Sequence, residues 1–387
     1  MSFRKFIFWI HLTVGIAAGL VIAVMCFTGT VLAFEKQIVA WAERDTRRIE
    51  LPATGTPRIP FEELLARFRS TWPNRVPFSV TISAGPDEAV AFTTARDGVY
   101  YANPYTGEFC QPASGAARNF MRLMTDWHRW LALSGDQRAA GKIVTGIGNL
   151  AFLFLAVSGL LLWWPRKWRT KGLKRSLWFL RGTAGHARDW NWHNVIGFWC
   201  APVLITLTLT ALPISFRWAA ELTYAITRTP LPASGPQSSG APPAAAMVPV
   251  PAPDAQPASR DQLLAAVQNE LPAWQSITFR FAPTTDPAKP QAASFVVREQ
   301  RTWPRTATTT LQYDPFTGAL LQRDAYSNLS AARKIRAWSR YLHTGEALGI
   351  FAQFVAAVAS AGGCFLVYTG IALAYRRFFG PPRQKTP

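Results

Sequence analysis

Hydrophobic positions in this chain gather into four long blocks, roughly Phe6 to Phe34, Ile143 to Trp164, Val195 to Phe216 and Leu348 to Tyr375. Each reaches or exceeds the ~20 residues that an α-helix needs to cross a hydrocarbon core about 30 Å thick. The first block follows Arg4 and Lys5, as the apolar core of a signal peptide would, but it is much longer than the ~7 to 15 residues of such a core. An uncleaved first helix is the better reading, and four spans are expected.

Between the blocks the pattern shortens. Phe61–Arg69 and Asp261–Leu271 carry apolar residues at helical spacing, whereas Val76–Ser83, Ala89–Arg96, Ile277–Ala282, Ser294–Arg298 and Thr308–Tyr313 alternate as strands do. Residues 229–258 are rich in Pro, Ala, Ser and Gly with almost no charge; such a stretch buries too little apolar surface to fold alone and reads as a linker. The expected order is a first span (1–34), an α+β outer domain (35–118), an interfacial helix (119–140), a second span (141–165) and a basic loop (166–192). A third span (193–217), a loop and linker (218–258), a second α+β outer domain (259–329), an interfacial helix with the fourth span (330–376) and a short tail (377–387) complete it.

Charge orients the spans. The N-terminus, the 165–192 loop and the C-terminal tail together hold 14 basic residues and one acidic residue, Asp189, whereas 35–140 holds 13 basic and 12 acidic and 217–344 holds 13 and 8. The positive-inside rule makes the first set cytoplasmic, which predicts both termini inside and both large loops outside. The net charge of +19 is therefore mostly topological, and nucleic-acid binding is not expected.

The chain repeats itself. Tyr101-Ala-Asn-Pro-Tyr-Thr-Gly107 returns as Gln312-Tyr-Asp-Pro-Phe-Thr-Gly318, and Ser158-Gly-Leu-Leu-Leu as Thr369-Gly-Ile-Ala-Leu, both at a shift of 211. His11-x-x-x-Gly15 matches His193-x-x-x-Gly197, and Thr28 to Phe34 matches Thr210 to Phe216, at a shift of 182. The predicted unit is span, outer domain, span, used twice in one orientation. Asn-Pro or Asp-Pro followed by glycine is turn chemistry, so those motifs read as structural.

Four of the five histidines fall in the same register. His11 and His193 sit near the inner ends of the first and third spans; His128 and His343 precede the second and fourth at the outer side. Two imidazoles per membrane face is what bis-histidine ligation of two haems needs, and ionisable side chains at spans tend to be functional. Trp9, Trp192, Trp199, Arg4, Lys5 and Arg188 flank the inner pair, and Trp127, Trp130, Trp338, Tyr341, Arg129 and Arg340 the outer pair, as apolar walls and propionate partners. His186, seven residues before His193, has no repeat mate and could replace it as a ligand. From His11 to the outer end of its span is 23 residues, about 34 Å of helix, so haems at the two faces would bridge most of the bilayer. No Cys-x-x-Cys-His occurs, which excludes a c-type attachment. Cys26, Cys200 and Cys364 lie within spans and Cys110 is alone outside them.

Together with Asp126-Trp-His-Arg-Trp-Leu, Ser158-Gly-Leu-Leu-Leu-Trp-Trp-Pro-Arg166, Trp192-His-Asn-x-x-Gly and Leu342-His-Thr-Gly-Glu346, these motifs make the chain resemble the PepSY-associated transmembrane helix family. The resemblance implies a four-helix transmembrane bundle from a tandem duplication, with two α+β PepSY-like periplasmic domains. It also implies two haem b groups ligated by His11, His193, His128 and His343, since the family includes inner-membrane ferric-siderophore reductases. Some relatives carry a fused flavin or nicotinamide domain; no phosphate-binding glycine loop occurs in this chain, so a quinol or a separate cytoplasmic reductase is the expected electron donor. The expected activity is an oxidoreductase reducing a periplasmic ferric siderophore to release Fe(II). The rival readings are a di-haem reductase of another periplasmic acceptor and a non-enzymatic membrane-anchored regulatory or binding protein.

Overall fold

The computed structural model describes residues 2–94, 98–112, 114–165, 170–232, 235–236, 245–252, 254–281 and 290–380. Arg96 and Ala282, at the ends of two expected strands, and parts of the linker, the basic loop and the tail lie outside them. The chain forms two compact units.

One unit is helical. Phe3–Leu32, Arg138–Trp163, Gly185–Ser215 and Ile350–Phe379 are helices, and all four are long and apolar enough to cross a membrane. The first packs against the second and fourth, and so does the third, which sets the first and third diagonally across the bundle. Small residues permit the approach: Gly148 lies under Val21, Gly362 under Cys200 and Gly363 under Cys26, with no room for a side chain. Close backbone contact of this kind supplies the dispersion energy that holds helices together where lipid removes the hydrophobic drive.

The third helix starts at Gly185, ten residues before the apolar block. Its first turns are polar but paired, which hydropathy alone misses. Asn191 is buried; its carbonyl accepts from Leu180 N and its amide donates to the carbonyls of Arg175 and Trp178. Asp189, also buried, pairs with Arg188 at 2.9 Å and Arg376 at 3.0 Å. Amphipathic helices Ala116–Trp130 and Ala331–His343 precede the second and fourth spans.

The other unit is a sheet with helices on one face. Strands β1 (Pro77–Ser83), β2 (Val90–Thr94), β3 (Gly98–Ala102), β4 (Phe109–Cys110), β5 (Trp274–Arg280), β6 (Ala293–Glu299), β7 (Thr309–Tyr313) and β8 (Leu320–Asp324) are all antiparallel, in the order β4-β3-β2-β1-β5-β6-β7-β8. The two outer segments, expected as separate modules, thus share one sheet. The reason is the pairing of β1 with β5, Ser79 to Ser83 against Arg280 to Ser276, which removes two exposed edges at once. A common core joins Phe68, Phe92 and Tyr100 from one segment to Ile277, Phe295 and Leu311 from the other.

The helices Phe61–Thr71 and Arg260–Glu270 cap each other. Asp261 accepts from the backbone N–H groups of Phe61 and Glu62, and Glu62 accepts from Arg260 N at 3.1 Å, satisfying first-turn donors. In the two repeated loops Asn103 Oδ1 accepts from Tyr105 and Thr106, and Asp314 Oδ1 from Phe316 and Thr317. Gly107 and Gly318 take φ of 76° and 71°, the left-handed region that glycine enters freely. These motifs build turns.

Candidate functional site

Four histidines occupy the two ends of the helical unit, and each is held by a neighbouring element. His11 Nδ1 meets Ser158 Oγ at 2.8 Å, His193 Nδ1 meets Thr369 Oγ1 at 2.9 Å, His128 Nδ1 meets Thr28 Oγ1 at 2.9 Å and His343 Nδ1 meets the Leu207 carbonyl at 2.9 Å. The first three contacts join a histidine to a hydroxyl residue that is followed by glycine. A Cβ on Gly159 would stand 3.5 Å from His11 Cε1, one on Gly370 3.4 Å from His193 Cε1, and one on Gly29 3.3 Å from His128 Cε1. The hydroxyl takes the ring nitrogen and the glycine leaves space for the ring.

These contacts fix the tautomer. A hydroxyl owns one proton, and Thr28 donates its proton to the Val24 carbonyl at 2.7 Å, as Thr369 does to Phe365 at 2.7 Å. Towards the imidazole each can then only accept, and the Leu207 carbonyl has no proton to give. Nδ1 of His128, His193 and His343 is therefore the protonated nitrogen, which leaves the lone pair on Nε2. Donation from the other ring nitrogen to a fixed acceptor is how metal-ligating histidines are oriented.

At one end the rings of His128 and His343 lie 6.2 Å apart between centres, with planes at 54°. A metal–imidazole bond of about 2 Å on each side, with about 1 Å from nitrogen to ring centre, would span about 6 Å, which matches the separation of the two ring centres. Burial, followed by the charge of His343, lowers the His128 pKa to about 4, and burial lowers that of His343. Both rings are thus neutral at ordinary pH, the form a ligand requires.

At the other end His11 and His193 line a cavity of about 1260 Å³. Its walls are largely apolar, with Gly15, Gly159, Gly197 and Gly370 opening the space beside the histidines, and Arg4, Lys5, Arg175, Arg181 and Arg377 contributing cations. His186 lines the same cavity but lies on the third helix two turns from His193 and is exposed. Trp163 and Trp190, rather than Trp9, Trp192 and Trp199, are the lining tryptophans. Trp9 packs on Phe378 and Trp192 on Phe365, while Trp199 is 56% exposed and donates to the Leu177 carbonyl. Arg188 pairs with Asp189 and so is not free for an anion.

Among the described residues no three or more His, Cys, Asp or Glu side chains are arranged around one metal position. At the His128–His343 end two imidazoles would be the protein's contribution to a metal's ligands. The donor set fits an iron porphyrin: paired neutral imidazoles, glycine-widened apolar walls at one end, and cations for propionates.

The family description of the PepSY-associated TM region matches residues 8–377. The chain belongs to that family. The match runs from the first span to the last and includes both sheet-forming segments of this PepSY-associated transmembrane protein. A search among curated proteins finds no match.

Histidine spacing in the sequence indicated the ligand candidates, whereas their anchors Thr28, Ser158, Thr369 and Leu207 are found only in the structure. The available signal was the recurrence of a hydroxyl residue before glycine inside apolar helices, at Thr28-Gly29, Ser158-Gly159 and Thr369-Gly370.

Proposed function

We propose that this PepSY-associated protein is a di-haem b electron carrier of the bacterial inner membrane, N- and C-termini inside, that reduces a ferric siderophore on the outer side and so releases Fe(II). His11 and His193 would hold the inner haem, and His128 and His343 the outer one. The observation that supports this most is the set of Nδ1 contacts, which turns a metal-binding lone pair outward on imidazoles at both ends of the bundle.

When bound, the haems would supply one-electron exchange at iron, which no side chain of the chain offers. The residues do the rest. Thr28, Thr369 and the Leu207 carbonyl hold the Nδ1 proton and keep each ring aimed; the apolar cavity walls exclude water; Arg4, Lys5 and Arg377 balance negative charge at the cavity. The ferric chelate is the substrate: its hard oxygen donors hold Fe(III) far better than Fe(II), so reduction weakens the complex. Electrons would come from a quinol or a cytoplasmic reductase.

Spectroscopy of the purified protein tests the reading. A Soret band with the α and β bands of six-coordinate b haem, and two haems per chain by pyridine haemochromogen assay, are expected. A colourless protein sinks the proposal and leaves a membrane-anchored binding protein. Mixing the reduced protein with ferric siderophores, quinones and periplasmic redox proteins then identifies the acceptor by which one reoxidises it fastest.

A further inference from the structure

Arginines in the helical unit are held in two ways. Arg188 and Arg376 meet Asp189, and Arg217 meets Glu221. Arg129 and Arg138 instead lie over one indole, their guanidinium carbons 4.6 Å and 3.6 Å from the centre of the Trp130 ring. Both are exposed, and among the described residues neither makes a side-chain hydrogen bond or an ion pair, not even with Asp126 or Asp136 close by in sequence. Stacking occupies the face of a guanidinium and leaves its edge, five donors in a rigid fork, available to an acceptor.

The backbone is shaped to hold this stack. After Trp130 the chain reverses through Leu131 and Ala132 at φ of 52° and 57°, a left-handed region that residues other than glycine enter at a cost. Arg138, the first residue of the second span, thereby returns to Trp130. A Cβ on Gly141 would stand 2.2 Å from the Trp130 carbonyl oxygen, and Thr145 Oγ1 donates to the Arg129 carbonyl at 2.9 Å. The stack adjoins the outer histidine pair: Arg129 follows His128, whose ring lies 6.2 Å from that of His343, and Arg340 comes one turn before His343 on the same helix. At the 215-residue shift that relates the two histidines, Thr344, Gly345 and Gln353 stand where Arg129, Trp130 and Arg138 do, and Thr125 where Arg340 does. The cations are therefore separate from the duplicated histidine pattern. Burial, followed by the charges of Arg138 and Arg340, lowers the Arg129 pKa, so an anion shared between these groups would relieve their repulsion.

We propose that Arg129 and Arg138, stacked on Trp130, dock the electron acceptor, and that they select a net-negative chelate with carboxylate or catecholate oxygens over a neutral or cationic hydroxamate complex. That the anion is a ferric chelate rests on the function proposed above; the anion site itself does not. Three dianionic catecholates leave a complex with Fe(III) negative, and hydroxycarboxylates present uncoordinated carboxylates, whereas three hydroxamates only neutralise the ion. Paired oxygens of the first two kinds match the two-pronged edge of a guanidinium. Docking here holds the chelate beside the His128–His343 pair, and no electron has to move for it to bind.

The test uses the full chain in phosphatidylcholine nanodiscs and redox-inert Ga(III) complexes, titrated by calorimetry with haem content measured in parallel. Ga(III) citrate and a Ga(III) tris-catecholate should bind, more weakly as salt screens the exposed charges, and a Ga(III) tris-hydroxamate at least ~10-fold less tightly. Arg129→Gln and Arg138→Gln should each weaken the anionic complexes roughly tenfold, about the worth of one charge-assisted hydrogen bond, with haem content kept. Arg138→Lys should recover only part, since lysine keeps the charge and lacks the fork. Equal affinity for all three complexes, or unchanged affinity in both Gln variants, overturns the inference. So does loss of haem in those variants with chelate binding intact, which would give the arginines to the cofactor. Abolition of binding by added phosphatidylglycerol would give them to lipid headgroups and overturns it too. Arginine-dependent binding in protein without a Soret band supports the anion site and sinks the haem reading; absence of binding in haem-loaded protein does the reverse.

Discussion

The two ends of the bundle solve one problem with different degrees of symmetry. At the His11–His193 end both imidazoles use the same device, a hydroxyl followed by glycine on the helix alongside: Ser158-Gly159 for one and Thr369-Gly370 for the other. At the His128–His343 end only His128 does, through Thr28-Gly29. The matching pair would be Thr210-Ala211; Thr210 donates within its own helix to Thr206 and Leu207, as Thr28 does to Val24 and Met25, but His343 bonds the Leu207 carbonyl rather than the Thr210 hydroxyl. Two differences in the sequence accompany this. Alanine replaces the glycine that makes room for the ring, and 26 residues separate His343 from Thr369 where 30 separate His128 from Ser158. His343 lies against backbone one turn away from Thr210. A carbonyl serves as well as a hydroxyl because the ring needs only an acceptor.

On the di-haem reading proposed above, the largest effects are expected from the four histidines. Replacing His128 or His343 by Ala should abolish the haem at that end and leave the other, so the haem content per chain falls by about half in a pyridine haemochromogen assay. His11→Ala and His193→Ala should do the same at their end, whereas His186→Ala retains both. Retention of both haems in His193→Ala, with loss in His186→Ala, would reassign that ligand to His186.

The anchors come next and sharpen the contrast between the ends. Thr28→Val and Thr369→Val each leave a buried Nδ1–H without an acceptor, which costs about 1–3 kcal/mol, and loss of such a partner typically weakens metal affinity ~10–100-fold. Haem dissociation to an apo-haem scavenger should accelerate by that factor at the affected end only. Thr210→Val, the same substitution at the sequence-related position, should change the rate less than about twofold, since no ring depends on that hydroxyl. Equal effects of Thr28→Val and Thr210→Val would show that the asymmetry at the His128–His343 end is not functional.

How far this was readable beforehand varies with the kind of interaction. The spans announce themselves because lipid demands an unbroken apolar run, and the polar start of the third helix at Gly185 escapes because Asp189 is ion-paired and Asn191 hydrogen-bonded by groups that hydropathy does not see. Alternation predicted strands at positions such as Val76–Ser83 and Ile277–Ala282, but not that β1 pairs with β5. Strand pairing is made by backbone groups common to all residues, and the side chains that meet across it, such as Thr81 and Thr278 at 2.9 Å, carry no mark in the sequence of which strand they will face. The histidine candidates were visible as a repeated, costly residue type. Their acceptors were harder to see, since a threonine inside a helix usually bonds its own preceding turn, as Thr28 and Thr210 both do, and only the glycine after Thr28, where alanine follows Thr210, marks the difference.

The smallest expected effect gives the finest test of why the two halves differ. Gly29→Ala writes the second half's residue into the first. Its methyl would meet His128 Cε1 at 3.3 Å, tighter than ordinary contact but within reach of a ring that can tilt by a few tenths of an ångström. Thr28 remains in place, so the Nδ1–H keeps an acceptor and haem should stay bound. What should move is the ring's orientation, read as a small change in the low-spin g-values of the outer haem by electron paramagnetic resonance, with the signal of the His11–His193 end unchanged. Unaltered spectra would mean that the methyl at position 211 is incidental, and that the shorter connection to the fourth span alone sets the place of His343.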